Sequence, residues 1–109
     1  MEEAKGLVRH LILLKFKDGT PPAQIEQIIK NYANLVNLIE PLKSWRMGKD
    51  LSVKNLDQGF THAFDLTFES DEGLAEYNDH PAHTKLSNQS RPHLDKFVVI
   101  DYKPTAFST

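Results

Sequence analysis

The chain has 109 residues, which suits a single domain, expected over residues 1–109 with a core from about 7 to 104. Its formal net charge of −2, with acidic and basic residues interspersed, favours neither nucleic acid nor an anionic membrane as a partner. The absence of cysteine excludes disulfides, thiolate catalysis and iron–sulfur clusters. No signal-peptide pattern and no run approaching the roughly 20 apolar residues of a membrane span is seen, so a cytoplasmic protein is expected.

The first predicted strand covers residues 7–17 and is apolar on both of its faces. Alternation puts one set of side chains on one face, namely Val8, His10, Ile12, Leu14 and Phe16, and Leu11 and Leu13 on the other. The helices of one domain usually cover only one face of a sheet. The second apolar face therefore predicts a partner that covers it.

A long amphipathic helix is predicted to follow the first strand. Thr20 is a candidate N-cap, and Pro21 suits the first helical turn. Apolar residues then recur at helical spacing, at Ile25, Ile28, Ile29, Tyr32, Leu35, Val36 and Ile39. The helix is predicted to stop at Glu40-Pro41, because a residue before proline disfavours the helical region.

The second half of the chain predicts two strands, an interrupted helix and a final strand. A short strand over 43–50 precedes a polar loop over 51–59, and a clearly alternating strand follows over 60–69. Ser70 is predicted to cap a helix that Pro81 breaks, and a second helical piece runs from 82 to about 91. The last strand is predicted over 96–102.

This order of elements predicts the fold class. A β-α-β-β-α-β succession is the signature of an α+β, ferredoxin-like sheet with its helices on one face. Two such sheets packed face to face form a dimeric α+β barrel, in which each sheet covers the other. A homodimer is therefore expected.

Several short segments, in the right order along the chain, resemble one known family. These segments are 8–10 (VRH), 16–18 (FKD), 32–37 (YANLVN), 48–50 (GKD), 59–62 (GFTH), 67–70 (TFES), 80–83 (HPAH) and 99–102 (VIDY). They are similar to the plant stress-responsive dimeric α/β-barrel (Dabb) family, over about residues 7–104. The resemblance implies a homodimer, often heat stable, with a cavity in each protomer. Some members are polyketide cyclases or hydroxynitrile lyases, and others have no established reaction.

The resemblance implies a first catalytic pair, Tyr77 and His83. In the cyclase type, the equivalent Tyr-x-x-His-Pro-x-His segment supplies the catalytic residues, which makes His83 the general base and Tyr77 its partner or a substrate anchor. A neutral imidazole suits removal of a proton from an activated methylene in a C2→C7 aldol closure. A tyrosine hydroxyl can donate to the developing enolate oxygen. The alternative is that both residues mark the family and not an activity.

A second constellation combines His10, Tyr32 and Asp101. His10 lies on an apolar strand face, Asp101 lies on the last strand, and a buried histidine usually needs a hydrogen-bond partner. The family fold brings the equivalents of His10 and Tyr32 to the cavity, where in the lyase type they share proton transfer at a cyanohydrin hydroxyl. The alternative is a satisfied core histidine beside a core tyrosine.

The candidate pocket wall is apolar, and a small apolar or aromatic ligand is expected. Its candidates are Ile12, Leu14, Ile28, Phe64, Leu66, Phe97 and Val99. Compared with the cyclase type, this chain has the bulkier Phe64 in place of a valine and a polar run over 88–93. Both changes predict a smaller or differently shaped ligand. Ordinary core packing is the alternative for most of these residues.

No metal or other cofactor is expected. His80 and His83, with His62, are the candidate metal ligands, but Pro81 interrupts helical spacing between the first two and no glutamate lies between them.

Three hypotheses follow for the function. The favoured one is a cofactor-free cyclase or lyase acting by acid–base catalysis, because four titratable side chains converge on one cavity. The second is a heat-stable stress or defence protein that binds a small ligand without turnover. The third is a dimeric scaffold whose cavity is only packing.

Overall fold

In a computed structural model, residues 7–52 and 56–105 are described. Along them the elements are β1 Val8–Phe16, α1 Pro22–Ala33, α2 Leu35–Leu38, β2 Leu42–Lys49, β3 His62–Phe68, α3 Asp71–Asp79, α4 Pro81–Ser90, a 3₁₀ turn Arg91–His93 and β4 Leu94–Tyr102. The predicted order and the α+β, ferredoxin-like class are confirmed. Part of the predicted loop, residues 53–55, lies outside the described residues.

The strand register brings the first candidate residues together. The sheet has the order β2-β3-β1-β4, and every neighbouring pair is antiparallel. On β1, His10 is opposite Leu66 of β3 on one side and opposite Asp101 of β4 on the other. Residues directly opposite each other share a face. His10 and Asp101 are therefore neighbours on the face of the sheet that carries the helices.

The core lies between that face and the helices. Its buried apolar side chains are Val8, Leu14, Phe16, Ile28, Tyr32, Leu35, Ile39, Leu42, Phe64, Leu66, Phe68, Tyr77 and Leu86. The opposite face of β1 carries Leu11 and Leu13, which are only half-buried. The edge strand β4 is exposed along most of its length, including Phe97, Val98, Val99, Ile100 and Tyr102. The chain therefore presents apolar surface that its own helices leave uncovered.

Two predicted details of the first helix are wrong. Pro21, not Thr20, is the N-cap of α1, and the Thr20 hydroxyl donates to the Lys17 carbonyl oxygen at 2.7 Å. The single predicted helix is two helices that meet at Asn34, and the second ends at Leu38. The Asn34 side chain accepts a hydrogen bond from the Asn37 amide at 3.0 Å. Such local side-chain bonds compete with the regular helical pattern.

The predicted interruption of the second helix is confirmed. Ser70 Oγ accepts from the backbone N–H of Gly73 at 3.0 Å and caps α3. Pro81 begins α4, and the ring of His80 caps it, because its Nδ1 accepts from the Ala82 N–H at 3.1 Å. Strand ends differ from the predicted ones by one or two residues. Among the described residues, every helix falls short of the length and apolarity needed to cross a bilayer.

Candidate functional site

A cavity of about 250 Å³ lies between the sheet and the helices α1 and α4. It is lined by His10, Ile12, Leu14, Ile28, Tyr32, Phe64, Asn78, His83, Ser87, Arg91, Leu94, Phe97, Val99 and Asp101. The structure therefore brings together most of the site residues predicted from the sequence. Seven of the fourteen lining residues are apolar, and the other seven carry imidazole, hydroxyl, amide or charged groups.

Two predicted site residues lie behind the cavity wall. Leu66 and Tyr77 are each fully buried and are not among the lining residues. The ring centre of Tyr77 is 4.3 Å from that of His83 and 5.7 Å from that of His10. Tyr77 therefore supports both histidines by packing. Its hydroxyl has no hydrogen-bond partner within the described part of the chain, and burial raises its pKa.

His10 is anchored by the adjacent strand. Its Nδ1 lies 2.5 Å from Asp101 Oδ1, and its side chain is almost completely buried. A carboxylate only accepts, so the imidazole donates its Nδ1–H to Asp101 and keeps Nε2 for other contacts. The contact also explains why a polar ring is tolerated on an apolar strand face, since a buried polar group needs a partner.

His83 is anchored by the backbone of the preceding helix. Its Nδ1 donates to the Asn78 carbonyl oxygen at 3.3 Å, so in the neutral ring Nε2 is the unprotonated nitrogen. Burial lowers the pKa of His83, and the nearby rings of His10 and His80 act in the same direction, against the Asn78 bond, which raises it. His83 is therefore mostly neutral at pH 7 and able to accept a proton.

Tyr32 lies on α1 and lines the cavity, and its hydroxyl group belongs to a buried chain of hydrogen bonds. Ser90 Oγ donates to the Ser87 carbonyl oxygen at 3.2 Å, so the Tyr32 hydroxyl donates to Ser90 Oγ at 2.8 Å. Burial raises the pKa of Tyr32. The Tyr32 oxygen therefore stays protonated near pH 7.

The unpartnered hydroxyl of Tyr77 predicts the effect of removing it. Tyr77→Phe is expected to leave the free energy of unfolding unchanged or to raise it by up to about 1 kcal/mol, because an unsatisfied buried polar group is costly. The matched control is Tyr32→Phe, which breaks a buried hydroxyl bond to Ser90 and should lower stability by about 1–2 kcal/mol. Urea unfolding of both variants measures the difference. A loss above about 1 kcal/mol in Tyr77→Phe would mean that its hydroxyl has a partner.

Sequence reasoning missed three lining residues, Asn78, Ser87 and Leu94, whereas Arg91 belongs to the polar run over 88–93 that was expected near the pocket. One signal was available, because His83, Ser87 and Arg91 are spaced by four residues and such residues share a helix face.

As for metals, the described ranges 7–52 and 56–105 contain no group of three or more His, Asp or Glu side chains that could hold an ion.

The fold and the cavity define a class of protein, the ferredoxin-like α+β domains with a pocket between sheet and helices. Residues 8–104 match the stress responsive A/B barrel domain family, Dabb. The chain belongs to this family, as its sequence indicated.

Two curated relatives cover almost the whole chain. It is 58% identical over 108 residues to the stress-response A/B barrel domain-containing protein HS1 of Arabidopsis thaliana, covering 99% of each. It is 44% identical over 97 residues to olivetolic acid cyclase of Cannabis sativa, covering 89% of this chain and 96% of the cyclase. The family thus includes both a named enzyme and a protein named only for its domain.

Solved structures of two other proteins have a similar fold. Hydroxynitrile lyase from Passiflora edulis superposes with a TM-score of 0.90 at 30% identity, covering 97% of this chain and all of the lyase. A protein of unknown function from Thermobifida fusca, described as dimeric and ferredoxin-like, gives 0.76 at 26% identity, covering 95% of this chain and 100% of that one.

Proposed function

We propose that the protein is a cofactor-independent enzyme of the polyketide cyclase or hydroxynitrile lyase type, which moves a proton on a small apolar or aromatic substrate in the cavity. The observation that carries this proposal is the pair of anchored histidines in an apolar cavity. His10 and His83 each have Nδ1 engaged, by Asp101 and by Asn78, so Nε2 is the nitrogen available to a substrate. A positioned imidazole that is neutral at pH 7, such as that of His83, can act as a general base.

The chemistry is the transfer of a proton from the substrate to His83 and its return to the product. In a cyclase-type reaction, the His83 Nε2 takes a methylene proton and the enolate carbon forms a bond to a carbonyl carbon of the same chain. The π bond of that carbonyl breaks, and the resulting alkoxide oxygen takes the proton back from His83. In a lyase-type reaction, the base takes the hydroxyl proton of a cyanohydrin, the carbon–cyanide bond breaks, and cyanide receives the proton. The Tyr32 oxygen, whose proton goes to Ser90, can accept a hydrogen bond from a hydroxyl group of the substrate, and His10 Nε2 is a second polar atom at the cavity.

A second candidate is ligand binding without turnover, as a heat-stable stress or defence protein. The observation that favours it is the position of Tyr77, whose hydroxyl is buried behind the wall instead of facing the cavity. The first candidate nevertheless ranks higher, because the lowered pKa of His83 suits a base at neutral pH.

We also propose that the protein acts as a homodimer in the cytoplasm. Apolar surface remains accessible on the outer face of the sheet, at the half-buried Leu11 and Leu13 and along the exposed strand β4. A second copy that packs face to face against this sheet would bury it. The dimeric description of the Thermobifida fusca neighbour supports this arrangement.

The test is turnover of two substrates by the purified protein, dialysed against a chelator. One sample receives a linear tetraketide thioester and another receives mandelonitrile, and chromatography follows the products. Conversion of either above the protein-free rate is the expected result. Binding of a substrate without conversion would favour the second candidate, and a blank result for both binding and turnover would contradict both.

A further inference from the structure

Arg91 places a positive charge on the wall of a cavity whose lining residues are half apolar and half polar. We propose that the cavity selects organic carboxylates, with an apolar or aromatic body inside and the carboxylate at the guanidinium of Arg91. This inference rests on the proposed function insofar as the cavity must bind a small molecule.

Position and packing hold Arg91 at the cavity. It begins the 3₁₀ turn that continues α4, one helical turn beyond Ser87 and two beyond His83. Its guanidinium carbon lies 5.5 Å from the ring centre of Phe97, which lines the same cavity. A guanidinium over an aromatic face is attracted by the ring, so this contact restrains the side chain and leaves its N–H groups free to donate.

Arg91 forms no ion pair within the part of the chain that the structure describes. Within residues 7–52 and 56–105, no Asp or Glu oxygen lies within 4.0 Å of its nitrogens, whereas Arg9 and Arg46 both contact Asp65. Asp101 also lines the cavity, but His10 already donates to it. An incoming carboxylate would therefore meet an arginine that has no competing partner in this part of the structure.

The guanidinium of Arg91 shares the cavity with the polar groups of the other walls. Arg91 and Tyr32 both line the cavity, so the positive charge faces the wall formed by α1. Arg91 and His83 also lie on one helix face, eight residues apart. A small molecule with its carboxylate on Arg91 would extend its apolar body along that face toward His83.

The test uses two probes that differ in one charge, 3-phenylpropanoate and 3-phenylpropanamide. Their dissociation constants are measured by NMR titration with the wild-type chain, Arg91→Gln and a control, Lys85→Gln. Lys85 is an exposed residue of α4 that does not line the cavity, and its substitution changes the net charge equally. The wild type and Lys85→Gln should bind the carboxylate about tenfold more tightly than the amide, and Arg91→Gln should bind both equally.

The outcomes separate the two proposals. Equal affinity of the wild type for both probes, or a preference that persists in Arg91→Gln, overturns the role of Arg91 and leaves the cavity as a binding site. Failure of both probes to shift the signals of cavity residues overturns carboxylate selection and also contradicts the proposed small-molecule site.

Discussion

The variant His83→Phe is expected to lose about 10²–10⁴-fold in kcat/KM for whichever test reaction the protein catalyses, which is the usual contribution of a positioned general base. The ring of phenylalanine keeps the packing against Tyr77, whose ring centre lies 4.3 Å away, but it cannot accept a proton. The side chain of His83 is only partly buried, so the His83→Phe variant should still fold. Steady-state kinetics beside a urea unfolding curve measures both quantities.

His93→Phe is the matched control for this experiment. His93 is another partly buried histidine, lies in the 3₁₀ turn and does not line the cavity. Its variant should keep the wild-type kcat/KM within about twofold, because no substrate contact is removed. A His83→Phe protein that is equally active would exclude His83 as the base, and His10 would be the next residue to substitute.

The pH profile gives an independent check on the role of His83. A base works only when it is unprotonated, so kcat/KM rises with pH through the pKa of His83 and then becomes level. Burial lowers that pKa from its ordinary value of 6.5, so the midpoint of the rise should lie below pH 6.5. A midpoint above pH 7 would indicate a different ionising group.

The fold was predictable because its signals are local. Alternating apolar residues on β1 and β3, the cap at Ser70 and the break at Pro81 each act within a few residues, and each prediction is confirmed. The errors lie where local rules compete. Thr20 bonds back to Lys17 instead of capping α1, and Asn34 interrupts a helix whose apolar stripe continues past it.

Part of the candidate site was predictable, from the strand pattern and from the family resemblance. His10 and Asp101 meet because they are opposite each other on paired strands, and the family resemblance supplied His83. The depth of each side chain could not be read from the sequence. Tyr77 and His83 occupy the same short segment, yet helix packing buries the tyrosine completely and leaves the histidine at the cavity.

Phe64→Ala is expected to lower the free energy of unfolding by about 3–5 kcal/mol, the usual cost of deleting a buried phenylalanine ring. Phe64 is 1% exposed and packs against the rings of Tyr32 and Trp45, at 5.6 and 4.9 Å between centres. A domain has only about 5–15 kcal/mol of stability in total, so the loss should be plain in the urea midpoint. Leu38→Ala, at a position 54% exposed on α2, should cost less than about 1 kcal/mol.

The same Phe64 variant separates packing from binding, because Phe64 also lines the cavity. Removing its ring enlarges a space of about 250 Å³ that is already open to ligands. A small aromatic probe that fits the enlarged space would restore stability by about 2.7 kcal/mol at one hundred times its dissociation constant. If the probe raises the stability of Phe64→Ala but not that of Leu38→Ala, the ring of Phe64 limits the size of the cavity. A loss below about 1 kcal/mol without ligand would instead mean that neighbouring side chains collapse into the space.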